Sequence, residues 1–246
     1  MADQPDLGNR VALVTGASRG IGAAIALALA DAGAAVAINF HEREDAANEV
    51  AEQIRTSGGR ALPVRADVSK SADVARMISK IGAELAEIDI LVNNAGIGWQ
   101  HTIDDLTEEQ WNETIAVNLT SAFLCTQAVY PAMRERGWGR IVNITSGAAR
   151  GPGGIGVHYN ASKAGMEGLT RGYASTLAGN GITVNAVAPS LILTDMFPTS
   201  LEEAKRRIPA GRPGTPEEVA MAVIMVLANP YITGQTIQLN GGLSFI

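Results

Sequence analysis

Three side chains at two spacings carry the chemistry this chain can offer. Ser146, Tyr159 and Lys163 bound the stretch SGAARGPGGIGVHYNASK, with Tyr159 thirteen positions after the serine and Lys163 four after the tyrosine. If the second half is helical, Tyr159 and Lys163 stand one turn apart on one face. The glycine-rich run before them lets the chain fold back and bring Ser146 alongside. A phenol beside an ammonium is a candidate proton donor at neutral pH. A unit charge about 5 Å away, at an effective dielectric of about 20, is worth roughly 3 kcal/mol. That would draw a phenol pKa from about 10 down by roughly two units, into the range of general acid–base work. A tyrosine and a lysine four apart also occur as plain helix packing, so the surrounding elements must decide.

Those elements alternate. Short aliphatic runs at 10–15, 35–40, 61–66, 89–93, 140–145, 183–188 and 236–239 read as strands. Between them, helical patterns cover 21–32, 44–57, 72–85, 108–135 and 157–178, and a further helix starts at Thr215-Pro216-Glu217-Glu218 and ends before Asn229-Pro230. Residues 190–215, with prolines at 198, 209 and 213, read as an irregular, mobile cover over the substrate. Strict alternation means an α/β fold: one doubly wound, Rossmann-type domain over 1–246, its sheet of about seven parallel strands covered by helices on both faces. Ligands of such a sheet sit at the carboxyl ends of the strands.

Composition narrows the rest. With 246 residues the chain can bury a sizeable core, and a net charge of −6 with no long basic run argues against nucleic acid or anionic membrane as partner. Cys125 is the only cysteine, and His41, His101 and His158 are scattered without metal spacing, so no metal is expected. The N-terminus MADQPDLGNR has no apolar signal segment, and the aliphatic stretch 21–38 is broken by Asp31 and Gly33. A soluble cytoplasmic protein is the expectation.

After the first strand comes Thr15-Gly16-Ala17-Ser18-Arg19-Gly20-Ile21-Gly22. Glycines here allow a tight turn and close backbone approach, and the helix opening at Ile21 offers free N–H groups to a pyrophosphate. The spacing TGxxxGxG resembles the short-chain dehydrogenase/reductase family, and further matches cover nearly the whole chain. These are Asp67-Val68, Asn93-Asn94-Ala95-Gly96, Asn118, the Ser146/Tyr159/Lys163 set, then Asn185, Pro189 and Thr194, and finally Gly234 with Gly241-Gly242.

The resemblance implies a hydride-transfer site. Tyr159 would deliver a proton to a carbonyl oxygen held by Ser146, and Lys163 would tune the phenol and hold the nicotinamide ribose. Asn118 would maintain a water link from Lys163. Gly16, Ser18, Arg19, Gly20, Ile21 and Gly22 would cradle the phosphates, Asp67 and Val68 the adenine, and Asn94, Ala95 and Gly96 would follow along the cleft. Pro189, Ile192 and Thr194 would cover the carboxamide.

Where NAD enzymes of this kind place an acid at the end of strand two, this chain has Phe40. With Arg19, His41 and Arg43 near, NADP(H) is favoured over NAD(H). The pattern is nearest to 3-oxoacyl-[acyl-carrier-protein] reductases, through TGASRGIG, DILVNNAG, HYNASKAG and YITGQTIQLNGG. It implies a small-molecule or acyl-thioester carbonyl substrate and a homotetramer built on the two long helices and the last strand. Ser190 departs from the family's glycine. Gly137 and Asn180 replace basic residues that dock an acidic carrier, although Arg134 and Arg136 lie close. Trp99, Gln100, Met196, Phe197 and Leu201 are candidate pocket residues. The alternatives are an NAD(H)-dependent dehydrogenase of a small or cyclic alcohol, an epimerase or dehydratase of the extended family, or a non-catalytic dinucleotide-binding protein.

Overall fold

Runs such as VALV, AVAINF and ITVNAVAP leave neither face fit for water, and in the computed structural model these segments are buried at every position. The structure describes residues 7–195 and 200–245; Met196 and Phe197 lie outside them, as does the start of the chain. The strands are β1 (Val11–Val14), β2 (Ala35–Phe40), β3 (Ala61–Arg65), β4 (Ile90–Asn93), β5 (Gly139–Ile144), β6 (Ile182–Pro189) and β7 (Thr236–Leu239). They form one seven-stranded sheet in the order β3-β2-β1-β4-β5-β6-β7, with every pairing parallel. The order reverses between β1 and β4, and that switch point opens a crevice at the strand ends.

Helices cover both faces. One apolar core packs α1 (Gly20–Asp31), α2 (Glu44–Thr56) and α8 (Pro216–Ala228) on the sheet; the other packs α3 (Ser71–Glu84), α5 (Ser121–Glu135) and α6 (Val157–Leu177) on its reverse. The helix start at Thr215 is a full capping box with Pro216 in the first turn, and Thr107 caps α4 (Glu108–Ile115) in the same way through Gln110.

The helix expected over 108–135 is helical throughout, but α4 and α5 meet within it at a π turn, Ala116–Thr120. At that wide turn the Asn118 amide turns inward and grips both backbone groups of Ile97, a local hydrogen-bonding demand that hydrophobic periodicity does not register. The irregular 190–215 segment contains α7 (Leu201–Arg207), with Ser200 accepting from the Glu203 N–H, acids in its first turn and bases in its last. Ile192 also pairs with Gly214 in an isolated parallel bridge. The flanking prolines masked a cap-acid-base pattern that is itself a helix signal. Among the described residues no helix is long and apolar enough to cross a membrane, and no His, Cys, Asp and Glu cluster could hold a metal ion.

Candidate active site

The glycine loop after β1 is clamped rather than merely flexible. Gly16 and Gly20 adopt φ of 61° and 55°, a region an L side chain strains to enter. Thr15 Oγ1 accepts from the N–H groups of Asn94 and Ala95, both at 3.0 Å, while Asn94 Nδ2 donates to the carbonyls of Thr15 and Gly16 at 3.0 Å each. Asn39, buried at the end of β2, accepts from Gly16 N–H at 3.1 Å and donates to Ala66 O at 3.1 Å. The loop is thereby tied to β2, β3 and β4, and the first turn of α1 carries no side-chain cap. Its N–H groups are left for an anion.

A Cβ on Gly22 would press into the Gly16 carbonyl and stand 2.5 Å from Asn94 Nδ2. Gly22→Ala is therefore expected to open this clamp and weaken nicotinamide-dinucleotide binding by about tenfold or more, the overpacking cost being roughly 1–3 kcal/mol. Fluorescence titration of NADPH checks this; unchanged affinity would show that the clamp does not shape the site.

On the other side of the switch point, α6 brings Tyr159 and Lys163 beneath the end of β5. The Tyr159 phenol stands beside the Ser146 side chain. Lys163 Nζ lies 5.6 Å from the tyrosine ring centre and donates to Ile144 O at 3.0 Å. The helix is held in register by a buried polar ladder. Thr126 accepts from Asn93, Asn93 donates to Asn143 at 2.8 Å, and Asn143 donates to Thr170 at 2.8 Å, linking α5, β4, β5 and α6. At the helix entrance Gly156 has φ of 146°, and a Cβ there would stand 2.6 Å from the His158 ring and 2.7 Å from His101 O. Asn118 stands behind this group, fully buried. It donates to Ile97 O at 3.0 Å and to Ser162 Oγ at 3.1 Å, and no direct hydrogen bond joins it to Lys163.

The electrostatics correct the expected tuning of the phenol. Burial raises the Tyr159 pKa above the ordinary phenol value, and the Ser146 side chain recovers only part of the rise. Burial also lowers Lys163 to about 8, because a desolvated ammonium is costly. In the protein both groups are nearly excluded from water, so desolvation sets the direction of both shifts. The tyrosine is protonated at neutral pH, as a proton donor must be.

A cleft of about 1220 Å³ joins the two halves. It is lined by Gly16, Ser18, Arg19, Gly20, Ile21 and Gly22 at the loop, by Phe40, His41, Asp67 and Val68 past β2 and β3, and by Asn94, Ala95 and Gly96 past β4. Ser146, Tyr159, Lys163, Pro189, Ile192 and Thr194 line its other end. Every residue expected to hold cofactor thus faces one space, whereas Asn118 supports it from behind. Burial raises the Asp67 pKa, but hydrogen bonds from Ser69, with His41 and Lys70 near, outweigh this and hold it below the usual carboxylate value. Arg19 differs from expectation in its engagement: its Nη1 donates to Asp195 Oδ2 at 2.6 Å. Trp99 lines the cleft, Gln100 donates to the carbonyl of Gly154 at 3.3 Å, and Leu201 is exposed outside it. Among the described residues only glycines have positive φ, so Ser190 fits its glycine position without backbone strain.

The model of the short chain dehydrogenase family matches residues 10–205. The chain belongs to that family. This short-chain dehydrogenase is 44% identical over 240 residues to a 3-oxoacyl-[acyl-carrier-protein] reductase of Synechocystis sp., covering 95% of this chain and 96% of the relative. It is 44% identical over 246 residues to an acetoacetyl-CoA reductase of Rhizobium meliloti, covering 96% and 99%. Among solved structures, a dehydrogenase/reductase from Sinorhizobium meliloti 1021 superimposes with a TM-score of 0.90 at 37% identity, covering 98% of this chain and 97% of that one. The chain is therefore an oxidoreductase using a nicotinamide cofactor. Sequence reasoning about this dehydrogenase missed Asn39, Asn143 and Asp195. The first two carried a visible signal, lone amides inside otherwise aliphatic strands, because a buried amide must find partners. Asp195 carried none, its partner being 176 positions away.

Proposed function

We propose that the chain is an NADP(H)-dependent ketone reductase, working as one domain in which residues 190–215 cover a 3-oxoacyl or related substrate. The carrying observation is that the Tyr159 phenol, beside Ser146 and backed by buried Lys163, shares one cleft with the clamped glycine loop. The residues present fit a dinucleotide, since the cradle at Gly16 and Gly22 has no room for a Cβ and the first turn of α1 is uncapped. The cofactor supplies hydride to the carbonyl carbon. Ser146 orients the carbonyl oxygen, and Tyr159 hands its phenolic proton to that oxygen as negative charge develops. Lys163, buried against the Ile144 carbonyl, holds the charge state that makes the phenol a better acid, and Asn118 fixes the wall behind Gly96. Oxidation of the alcohol runs the same path in reverse, with Tyr159 as base.

Phe40, where an acid would end β2, together with His41 and Arg43 in the cleft, supports the choice of NADP(H), and Glu42, which also lines the cleft there, opposes it. The Arg19–Asp195 pair is the observation favouring the alternative, an NAD(H) enzyme. The pair is exposed, with side chains 43% and 68% accessible, so a phosphate can compete for Arg19. Arg19→Ala is expected to weaken NADPH by about tenfold while leaving NADH within about twofold. Asp195→Asn is expected to tighten NADPH only. Equal loss of both cofactors in Arg19→Ala, read by fluorescence titration, contradicts the 2′-phosphate assignment.

The names of the relatives support an acyl-thioester substrate. Docking of an acidic carrier draws less support, because Arg136 is turned inward to Asp89 and Ile88 O. A homotetramer is supported by exposed Met221 and Met225 on α8, by exposed Tyr231 before β7, and by Gly168 and Gly172 on α6, where an added Cβ would meet nothing. Reduction of a panel of ketones, followed at the nicotinamide band with each cofactor, tests the function; no turnover of any carbonyl contradicts it.

A further inference from the structure

The catalytic end of the cleft carries a guanidinium that proton transfer does not use. Arg150 follows Ser146 by four residues, past the tight turn Gly147–Ala149, and lines the same space as Ser146 and Tyr159. Its Nε donates to Glu167 Oε2 at 2.8 Å, and the Glu167 side chain, one turn beyond Lys163 on α6, is only 6% exposed. A buried carboxylate therefore fixes one edge of a planar group whose own side chain is 33% exposed. Neither Nη nitrogen of Arg150 has a hydrogen-bond partner among the described residues. Glu167 Oε1 is buried without a donor, and Arg171 approaches Oε2 only to 3.7 Å. An ion pair serving stability alone would spend both oxygens and both nitrogens to offset its desolvation. This one spends a single bond on each side and leaves the guanidinium fork open, oriented but unsatisfied.

The surroundings leave that fork to the substrate. Gly151, Pro152, Gly153 and Gly154 line the cleft next to it and bring no polar side chain to meet it. The other cations at this end are engaged, Lys163 on Ile144 O and Arg207 with Glu203 at 3.7 Å, and Arg19, at the glycine loop, is held by Asp195. His41, Arg43 and Lys70 lie past β2 and β3, across the switch point.

We infer that Arg150 is a substrate-selecting residue, binding through its two Nη groups the anionic oxygens of a carboxylate or phosphate carried by the ketone, with Glu167 as its positioning residue. The inference rests on the reading of the chain as a ketone reductase. It makes the preferred substrate an anionic ketone, and it separates recognition from the proton-transfer set.

The test compares three ketones sharing one reacting group: acetoacetate, which carries a carboxylate, acetoacetyl-CoA, which carries phosphates, and neutral ethyl acetoacetate. In Arg150→Gln, KM for the anionic substrate is expected to rise by about tenfold or more, while kcat and KM for the neutral ester stay within about twofold and NADPH affinity is unchanged. Arg150→Lys, which keeps the charge but loses the fork, should restore part of the loss. Glu167→Gln should raise KM for the anionic substrate alone. A selective effect on acetoacetate identifies the carboxylate as the group bound; one on acetoacetyl-CoA identifies the phosphate. If Arg150→Gln changes all three ketones alike, or none, the inference is overturned while the reductase reading stands. If wild type reduces no ketone at all, the reductase reading falls, and the inference with it.

Discussion

Tyr159→Phe is expected to lower kcat for ketone reduction by about a hundredfold to ten-thousandfold, the range a positioned general acid contributes. Binding of NADPH should be nearly unchanged. The substitution removes one oxygen from a side chain packed under the end of β5, so the ring stays and only the proton is lost. Ser146 keeps its bond from the Ala148 N–H at 3.2 Å, which holds the serine in place without its phenol partner. The phenol lies above its ordinary pKa through burial, so it is protonated across the neutral range. Reduction should thus be insensitive to pH below about 8 and fall above it as Lys163 loses its proton. Oxidation of the alcohol should climb with pH. Single-turnover kinetics in both directions, with a parallel cofactor titration, checks all three statements. A Tyr159→Phe enzyme of near wild-type rate would place the proton donor elsewhere.

Lys163→Met is expected to cost about a hundredfold or more in kcat and to change the pH dependence of stability. Burial lowers the Lys163 pKa from 10.5 to about 8, so its charged form is disfavoured in the folded protein. Below pH 8 the lysine is charged in both folded and unfolded chains, and the penalty is fully present. Between about 8 and 10.5 the unfolded chain binds more proton, so folding stability rises with pH, by about 3 kcal/mol across the window at the most. Methionine has no proton to bind, and the variant should lack that rise. The Ile144 carbonyl loses its donor in the variant, a cost of roughly 1–3 kcal/mol. That cost does not depend on pH and leaves the comparison of slopes intact. Denaturant midpoints of both proteins at pH 7, 9 and 10 test the point. Parallel curves would mean that Lys163 is not a buried ammonium.

The sheet, its seven strands and the alternation of helices were legible because parallel strands buried on both faces must be aliphatic throughout, and few other patterns give VALV, DILVN and RIVNIT between helical segments. The gathering of Ser146, Tyr159 and Lys163 was legible through spacing, since four residues is one helical turn. The electrostatic state of the trio was not: desolvation depends on what covers a group, and neither Ile144 above Lys163 nor the depth of Tyr159 is written in the local sequence. The π turn at Asn118 and the Arg19–Asp195 pair were hidden for the same reason, each resting on partners brought in from distant segments. The helix at Leu201–Arg207 is a different case, since its serine cap, acids and bases were present and the prolines around it drew the reading away.

The central claim is that Tyr159 protonates a carbonyl while a nicotinamide in the same cleft reduces it. The most direct measurement mixes wild-type enzyme with NADPH and acetoacetyl-CoA and follows the reduced-nicotinamide band together with the 3-hydroxyacyl product. One cofactor is expected to be oxidised per ketone reduced, and both signals should be lost together in Tyr159→Phe while NADPH remains bound. Turnover that persists in Tyr159→Phe, or no turnover by wild-type enzyme with NADPH bound, would contradict that claim.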